Sequence, residues 1–136
     1  MYPPELVQPM REDLTSAGFA ELYTEDQVNN ALAKPGTTLV VVNSVCGCAA
    51  ANARPGAKHS LTNSKTPDHV VTVFAGVDTE AVNAVRSQMV PFPPSSPCMG
   101  LFKDGELVHM LERHHIEGRP AGMIAENLME AYNQHC

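Results

Sequence analysis

Cys46, Gly47 and Cys48 put two thiols one residue apart, directly after the strand-forming run Thr38-Leu39-Val40-Val41-Val42-Asn43 and before an alanine-rich, helix-forming stretch. Exchange between thiols and disulfides proceeds through the thiolate. A helix N-terminus offers unpaired N–H groups and a partial positive charge, which stabilise an anion and lower a thiol pKa. A sulfur at this junction is therefore a candidate nucleophile. Two blander readings compete with it. Cysteine is often a small buried apolar residue, and thiolates at close spacing also suit zinc or an iron–sulfur cluster. Structural zinc wants four ligands, and Cys98 and His59 would have to be recruited through the fold to complete such a set. A pair opening a helix favours thiol chemistry over both.

The chain around this pair has 136 residues, enough for one domain, residues 1–136, with a core that needs no covalent staples. Its four cysteines, at 46, 48, 98 and 136, are too few and too uneven for a disulfide-built secreted scaffold. The first residues, Met1-Tyr2-Pro3-Pro4-Glu5, are too broken and polar for a signal peptide. No segment approaches the ~20 apolar residues of a membrane span. A cytoplasmic protein without a membrane partner is expected, and there a close cysteine pair is more often catalytic or metal-binding than structural. Nine Lys and Arg, scattered against fifteen Asp and Glu, give a net charge of −6, which argues against nucleic acid and anionic membranes.

The elements that must position the pair follow from periodicity. Met10, Leu14 and Ala17 share a helical face between Gln8 and Ala17, with Gly18 as a C-cap. Thr24-Glu25-Asp26-Gln27 reads as a capping box for a helix carrying Val28, Ala31 and Leu32. Thr38–Asn43 is a strand covered on both faces. A helix from Ala49 to about Leu61 should kink near Pro55, which lacks an N–H and clashes one turn back. A second buried strand runs from Val70 to Val77; Asp78 then caps a helix with Val82, Val85 and Met89 on one side. The proline-rich stretch Pro91–Pro97 is an extended crossing. Asp104-Gly105 turns a hairpin between Met99–Lys103 and Glu106–Leu111, and a last helix follows Pro120. The expected architecture is α/β, a mixed sheet with parallel pairing first and an antiparallel hairpin last, plus an N-terminal helical extension.

A cysteine pair opening a helix after a central strand, a proline in that helix and a later Ser-Pro before a hairpin together resemble the thioredoxin-like fold. Val40-Val41-Val42-Asn43-Ser44-Val45-Cys46-Gly47-Cys48-Ala49-Ala50-Ala51, Pro94-Ser95-Ser96-Pro97 and Leu101-Phe102-Lys103-Asp104-Gly105-Glu106-Leu107-Val108 are more specific and resemble the bacilliredoxins, a likeness extending from about Val7 to Cys136. The resemblance implies removal of bacillithiol, a low-molecular-weight thiol, from mixed disulfides on oxidised proteins. Bacillithiol would be the redox co-substrate with no bound cofactor and no metal, and a flavin-dependent disulfide reductase is a candidate partner for recycling the enzyme. Cys46 then matches the attacking cysteine and Cys48 its partner. A general protein disulfide reductase or isomerase is the alternative, and a redox-sensing or metal-binding module a further one.

Four more residues enter as substrate-binding candidates on the same resemblance. The Ser96–Pro97 bond would be cis, leaving the backbone of Ser96 free to pair with an extended substrate, although a plain loop end accounts equally well for the dipeptide. Cys98 stands where relatives commonly carry serine, and is either a third redox thiol or, with more weight, a lining side chain. Arg54, with Lys58 beside it on the same helix, could meet bacillithiol's carboxylates, although such residues more often form a solvated face. The histidines, His114 and His115 included, show no ligand spacing, and Cys136 reads as an exposed terminal thiol.

Overall fold

The computed structural model describes residues 2–136. Its centre is strand β2 (Thr37–Asn43), all seven residues of which are buried. Strand β3 (His69–Phe74) pairs parallel to one side of it and β4 (Cys98–Lys103) antiparallel to the other. Strand β5 (Glu106–Leu111) closes the hairpin on β4, with Asp104 and Gly105 at φ 50° and 85° in the turn, the positive values that a two-residue hairpin loop requires. A two-residue strand, β1 (Ala20–Glu21), extends the sheet beyond β3, so the order is β1-β3-β2-β4-β5. The sequence left β1 unassigned because two residues carry no period.

Alternation along β2 splits the core in two. Val40 and Val42 face α2 (Glu25–Ala33) and α4 (Thr79–Ser87), whereas Leu39 and Val41 face α1 (Pro4–Thr15), α3 (Arg54–Ser60) and α6 (Ala121–His135). All four side chains are fully buried, each stabilising the fold by roughly 1.5–3 kcal/mol. Because α2 lies between β1 and β2, only α1 is an extension to the sheet's own sequence of elements. It begins earlier than expected, at Pro4, a residue suited to a first helical turn.

The capping box at Thr24 forms as read: Thr24 Oγ1 accepts from Gln27 N–H at 3.1 Å and Gln27 Oε1 accepts from Thr24 N–H at 3.3 Å. Asp78 does not cap α4 through its side chain. Its carboxylate instead accepts from the Arg11 guanidinium at 2.8 and 3.0 Å and from Phe74 N–H at 3.0 Å. The expected kink near Pro55 is a π-helical turn, Ala49–Ala53, preceding α3. Pro55 cannot donate, and the Arg54 N–H reaches back five residues to the Ala49 carbonyl, widening the turn ahead of the proline. A short helix absent from the sequence reading, α5 (Arg113–Ile116), follows β5.

Candidate active site

The turn from β2 into the helix is built by short side chains. Asn43 Oδ1 accepts from Ser44 N–H at 2.8 Å, and Ser44 Oγ accepts from Cys46 N–H at 3.1 Å. The Cys46 carbonyl takes the first helical bonds, from Ala49 N–H at 2.9 Å and Ala50 N–H at 3.4 Å. Cys46 therefore sits at the helix entrance with its sulfur 2.7 Å from that of Cys48, both as free, half-buried thiols.

The two sulfurs are electrostatically unequal. The Cys46 pKa is lowered, first by the Cys48 thiol donating to its sulfur and then by the Cys48 backbone N–H; burial opposes them, and the Arg113 charge and the Ala49 N–H add smaller lowering effects. Cys48 is raised, first by burial and then by its hydrogen bond to Cys46 and the negative charge there. Of the two sulfurs, Cys46 is therefore the one whose thiolate form the site favours.

Arg113 is the residue that sequence reasoning missed. Its Nη2 lies 3.3 Å from Cys46 Sγ, its Nη1 donates to the Ser96 carbonyl at 3.2 Å, and its Nε donates to Glu117 at 2.8 Å. Its backbone N–H donates to Ser95 Oγ at 3.3 Å, tying α5 to the proline loop. The local signal was an (i, i+4) Arg113–Glu117 pair, but nothing in the sequence linked it to a cysteine 67 residues away. The guanidinium is 44% exposed at the mouth of an open groove that it lines with His114 and Glu117.

The other candidates fall into three positions. The Ser96–Pro97 bond is cis, and Arg113 brings Ser96 to the pair; the Ser96 carbonyl, expected to be free, is occupied by the guanidinium. Cys98 lies in register with Val42 on the α2/α4 face of the sheet, across from the helix that the pair opens. It is 1% exposed and its pKa is pushed up to about 12 by burial, so it is a core residue rather than a substrate contact. Arg54 also departs from expectation. It is 5% exposed, with Nε donating to Asp13 at 3.1 Å and Nη1 to Asn43 Oδ1 and the Ser44 carbonyl at 3.0 and 3.1 Å, so it is buried and braces the turn from beneath instead of standing at the surface. Glu112, His114 and His115, given no ligand role from sequence, bring three metal-capable atoms within 4.8 Å of one another, but His115 Nδ1 accepts from Glu112 N–H at 3.0 Å as part of the α5 cap. Among the described residues no helix is long and apolar enough to cross a membrane.

Residues 2–136 match the model of a family described as "Disulphide isomerase". A protein of Cytophaga hutchinsonii named bacilliredoxin is 58% identical over 134 residues, covering 98% of this chain and 99% of the relative. One from Shouchella clausii, also named a bacilliredoxin, is 54% identical over 136 residues, covering 99% and 94%. The fold is similar to the oxidised thioredoxin of Plasmodium falciparum, with a TM-score of 0.56 at 17% identity over 85% of this chain and 98% of that one. It is likewise similar to the thioredoxin of Trypanosoma brucei brucei, with a TM-score of 0.57 at 17% identity over 86% and 93%.

Proposed function

The chain belongs to the bacilliredoxin family of thioredoxin-like thiol–disulfide oxidoreductases, and from that membership we propose that it removes bacillithiol from mixed disulfides on oxidised proteins. The Cys46 thiolate attacks the bacillithiol sulfur. A Cys46–bacillithiol disulfide forms, the original disulfide breaks, and the protein cysteine leaves as a thiolate that takes a proton from solvent. The single observation that supports Cys46 as the attacking sulfur is the asymmetry of the pair: Cys46 is held by the Cys48 thiol, by backbone N–H groups and by Arg113, whereas burial disfavours the charged form of Cys48.

Two routes complete the cycle. A second bacillithiol thiolate attacks the bacillithiol sulfur on Cys46, expelling the Cys46 thiolate and forming oxidised bacillithiol. Alternatively, the Cys48 thiolate attacks the Cys46 sulfur and expels bacillithiol, leaving an internal disulfide that takes two electrons from an external reductant, for which a flavin-dependent disulfide reductase is the expected partner. A low pKa makes Cys46 a good leaving group, which favours the first route. The second improves once Cys46 is covalently capped, because the charge that raised the Cys48 pKa is then gone while its burial remains.

Cys46→Ala and Cys48→Ala, assayed on a reporter protein carrying bacillithiol beside the same reporter carrying glutathione, test this reading. Loss of all exchange in Cys46→Ala, retained single-turnover removal in Cys48→Ala and faster reaction of the parent with the bacillithiol reporter are expected. Equal parent rates on the two reporters would sink the bacillithiol-specific reading. They would leave a general disulfide reductase or isomerase, the reading that the matching family's description favours.

A further inference from the structure

We propose that Arg113 is also the specificity-determining residue for the small thiol, receiving a carboxylate on that thiol when it becomes joined to Cys46; this rests on the reading that a small thiol is transferred to Cys46. The inference follows from charge at one atom. In the resting site Nη2 faces the Cys46 sulfur at 3.3 Å, Nη1 a neutral carbonyl and Nε the Glu117 carboxylate. On attack, the electron pair of the Cys46 thiolate becomes the new S–S bond, and the displaced protein cysteine carries the negative charge away. The Cys46 sulfur is then neutral. Arg113 keeps its full charge and has lost one of its two anionic partners at the atom beside which the small thiol now begins.

A carboxylate a few bonds from that thiol's sulfur is within reach of Nη2, and the open groove lined by Arg113, His114 and Glu117 leaves room for it. The same contact helps before the bond forms. A thiolate attacking an anionic thiol derivative meets like-charge repulsion, and the chain as a whole, at net −6, adds to it. A guanidinium beside the sulfur offsets that repulsion for an anionic co-substrate and has no such effect for a neutral one. Glu117, 58% exposed and bonded to Nε, competes with the incoming carboxylate for the same fork.

The test compares a reporter protein bearing a mixed disulfide with 3-mercaptopropionate and the same reporter bearing its neutral amide, which differ in charge at nearly constant shape. The quantity read is the ratio of the two kcat/KM values. Any effect of Arg113 on the reactivity of Cys46 itself divides out of that ratio. The parent should prefer the acid by about fivefold, the upper range for an exposed ion pair. Arg113→Gln should bring the ratio to about one, Arg113→Lys should retain part of the preference, and Glu117→Gln, which removes the competing carboxylate, should increase it. The parent's preference should shrink as salt is raised. A parent ratio of one or below, or a ratio unchanged in Arg113→Gln, overturns the proposal. A parent that removes glutathione as fast as bacillithiol would count against the bacillithiol reading alone, leaving the acid-to-amide ratio to be judged by itself.

Discussion

At the scale of the residue, three of the four thiols have environments distinct enough to be separated by one measurement. Cys46 is lowered by the Cys48 thiol, by backbone N–H groups and by the Arg113 charge, Cys48 is raised chiefly by burial, and Cys98 is raised to about 12 inside the core. Iodoacetamide labelling across a pH series, with peptide mapping, should show Cys46 reacting with a midpoint below the ordinary thiol value of about 8.5 and Cys48 with one above it. Cys98 should label only when the protein is unfolded. Because the guanidinium favours the charged form of Cys46, Arg113→Gln should move the Cys46 midpoint upward. A midpoint that stays in place would mean that the neighbouring thiol and N–H groups suffice. Of these properties, the direction of the Cys46 shift was legible in the sequence from its place at a helix start, whereas its largest cause, the Cys48 thiol bonded to its sulfur, was not. The core location of Cys98 was not: which face of a strand a residue takes depends on register, and Cys98 follows a proline-rich crossing that hides the register.

At the scale of the element, the helix carrying the pair is held against α6 by a close approach at Gly56. A Cβ added there would stand 2.7 and 2.8 Å from the side chain of Ile124, itself buried, and 3.1 Å from the Ala121 carbonyl. Gly56→Ala should therefore destabilise the protein by about 1–2 kcal/mol, the cost of overpacking exceeding the roughly 1 kcal/mol that alanine gains over glycine in a helix. A denaturant midpoint that moves toward lower concentration at unchanged slope is the expected reading; a stabilised variant would show that α3 and α6 can separate freely. Gly47 differs in kind, since a Cβ there meets nothing within 4 Å. The motif's glycine is thus not demanded by steric crowding in this conformation, whereas Gly56 is demanded by its helix crossing. In the sequence both were simply glycines near a cysteine pair.

At the scale of the whole molecule, the N-terminal helix is wired into the site. Asp13 on α1 accepts from Arg54 at 3.1 Å and from Lys58 at 2.5 Å, Met10 O accepts from Asn43 Nδ2 at 3.0 Å, and Arg54 in turn holds Asn43 and Ser44 beneath the cysteine turn. Burial alone would raise the Asp13 pKa, but the bonds from Lys58 and Arg54 outweigh it and hold the carboxyl below its ordinary value. With a depressed pKa in the folded state, the stabilisation is complete above the unfolded-chain value of about 3.9 and is lost as pH falls through the folded value. Asp13→Ala should cost about 2 kcal/mol at neutral pH, because it leaves the buried Arg54 guanidinium without its carboxylate while Asp13 itself is one-third exposed. The difference in stability between parent and variant should narrow as pH is lowered from 5 to 2; a constant difference over that range would show that the charge of Asp13 contributes nothing.

The sequence by itself determined what is local or periodic. The buried strand β2, the thiol pair at its end, the Thr24 capping box and the Asp104-Gly105 hairpin all follow from neighbours within a few residues, where propensity and spacing act directly. The tertiary structure alone decided what depends on distant segments meeting. It turned Arg54 inward to Asp13, placed Cys98 across the sheet from the pair, recruited Asp78 to Arg11 instead of to its own helix, and set Arg113 against Cys46. The physical reason is the same in each case: a charged or sulfur-bearing side chain takes its role from the partner that compensates its burial or shares its charge, and each of these partners is set by how the helices and strands pack rather than by adjacent residues.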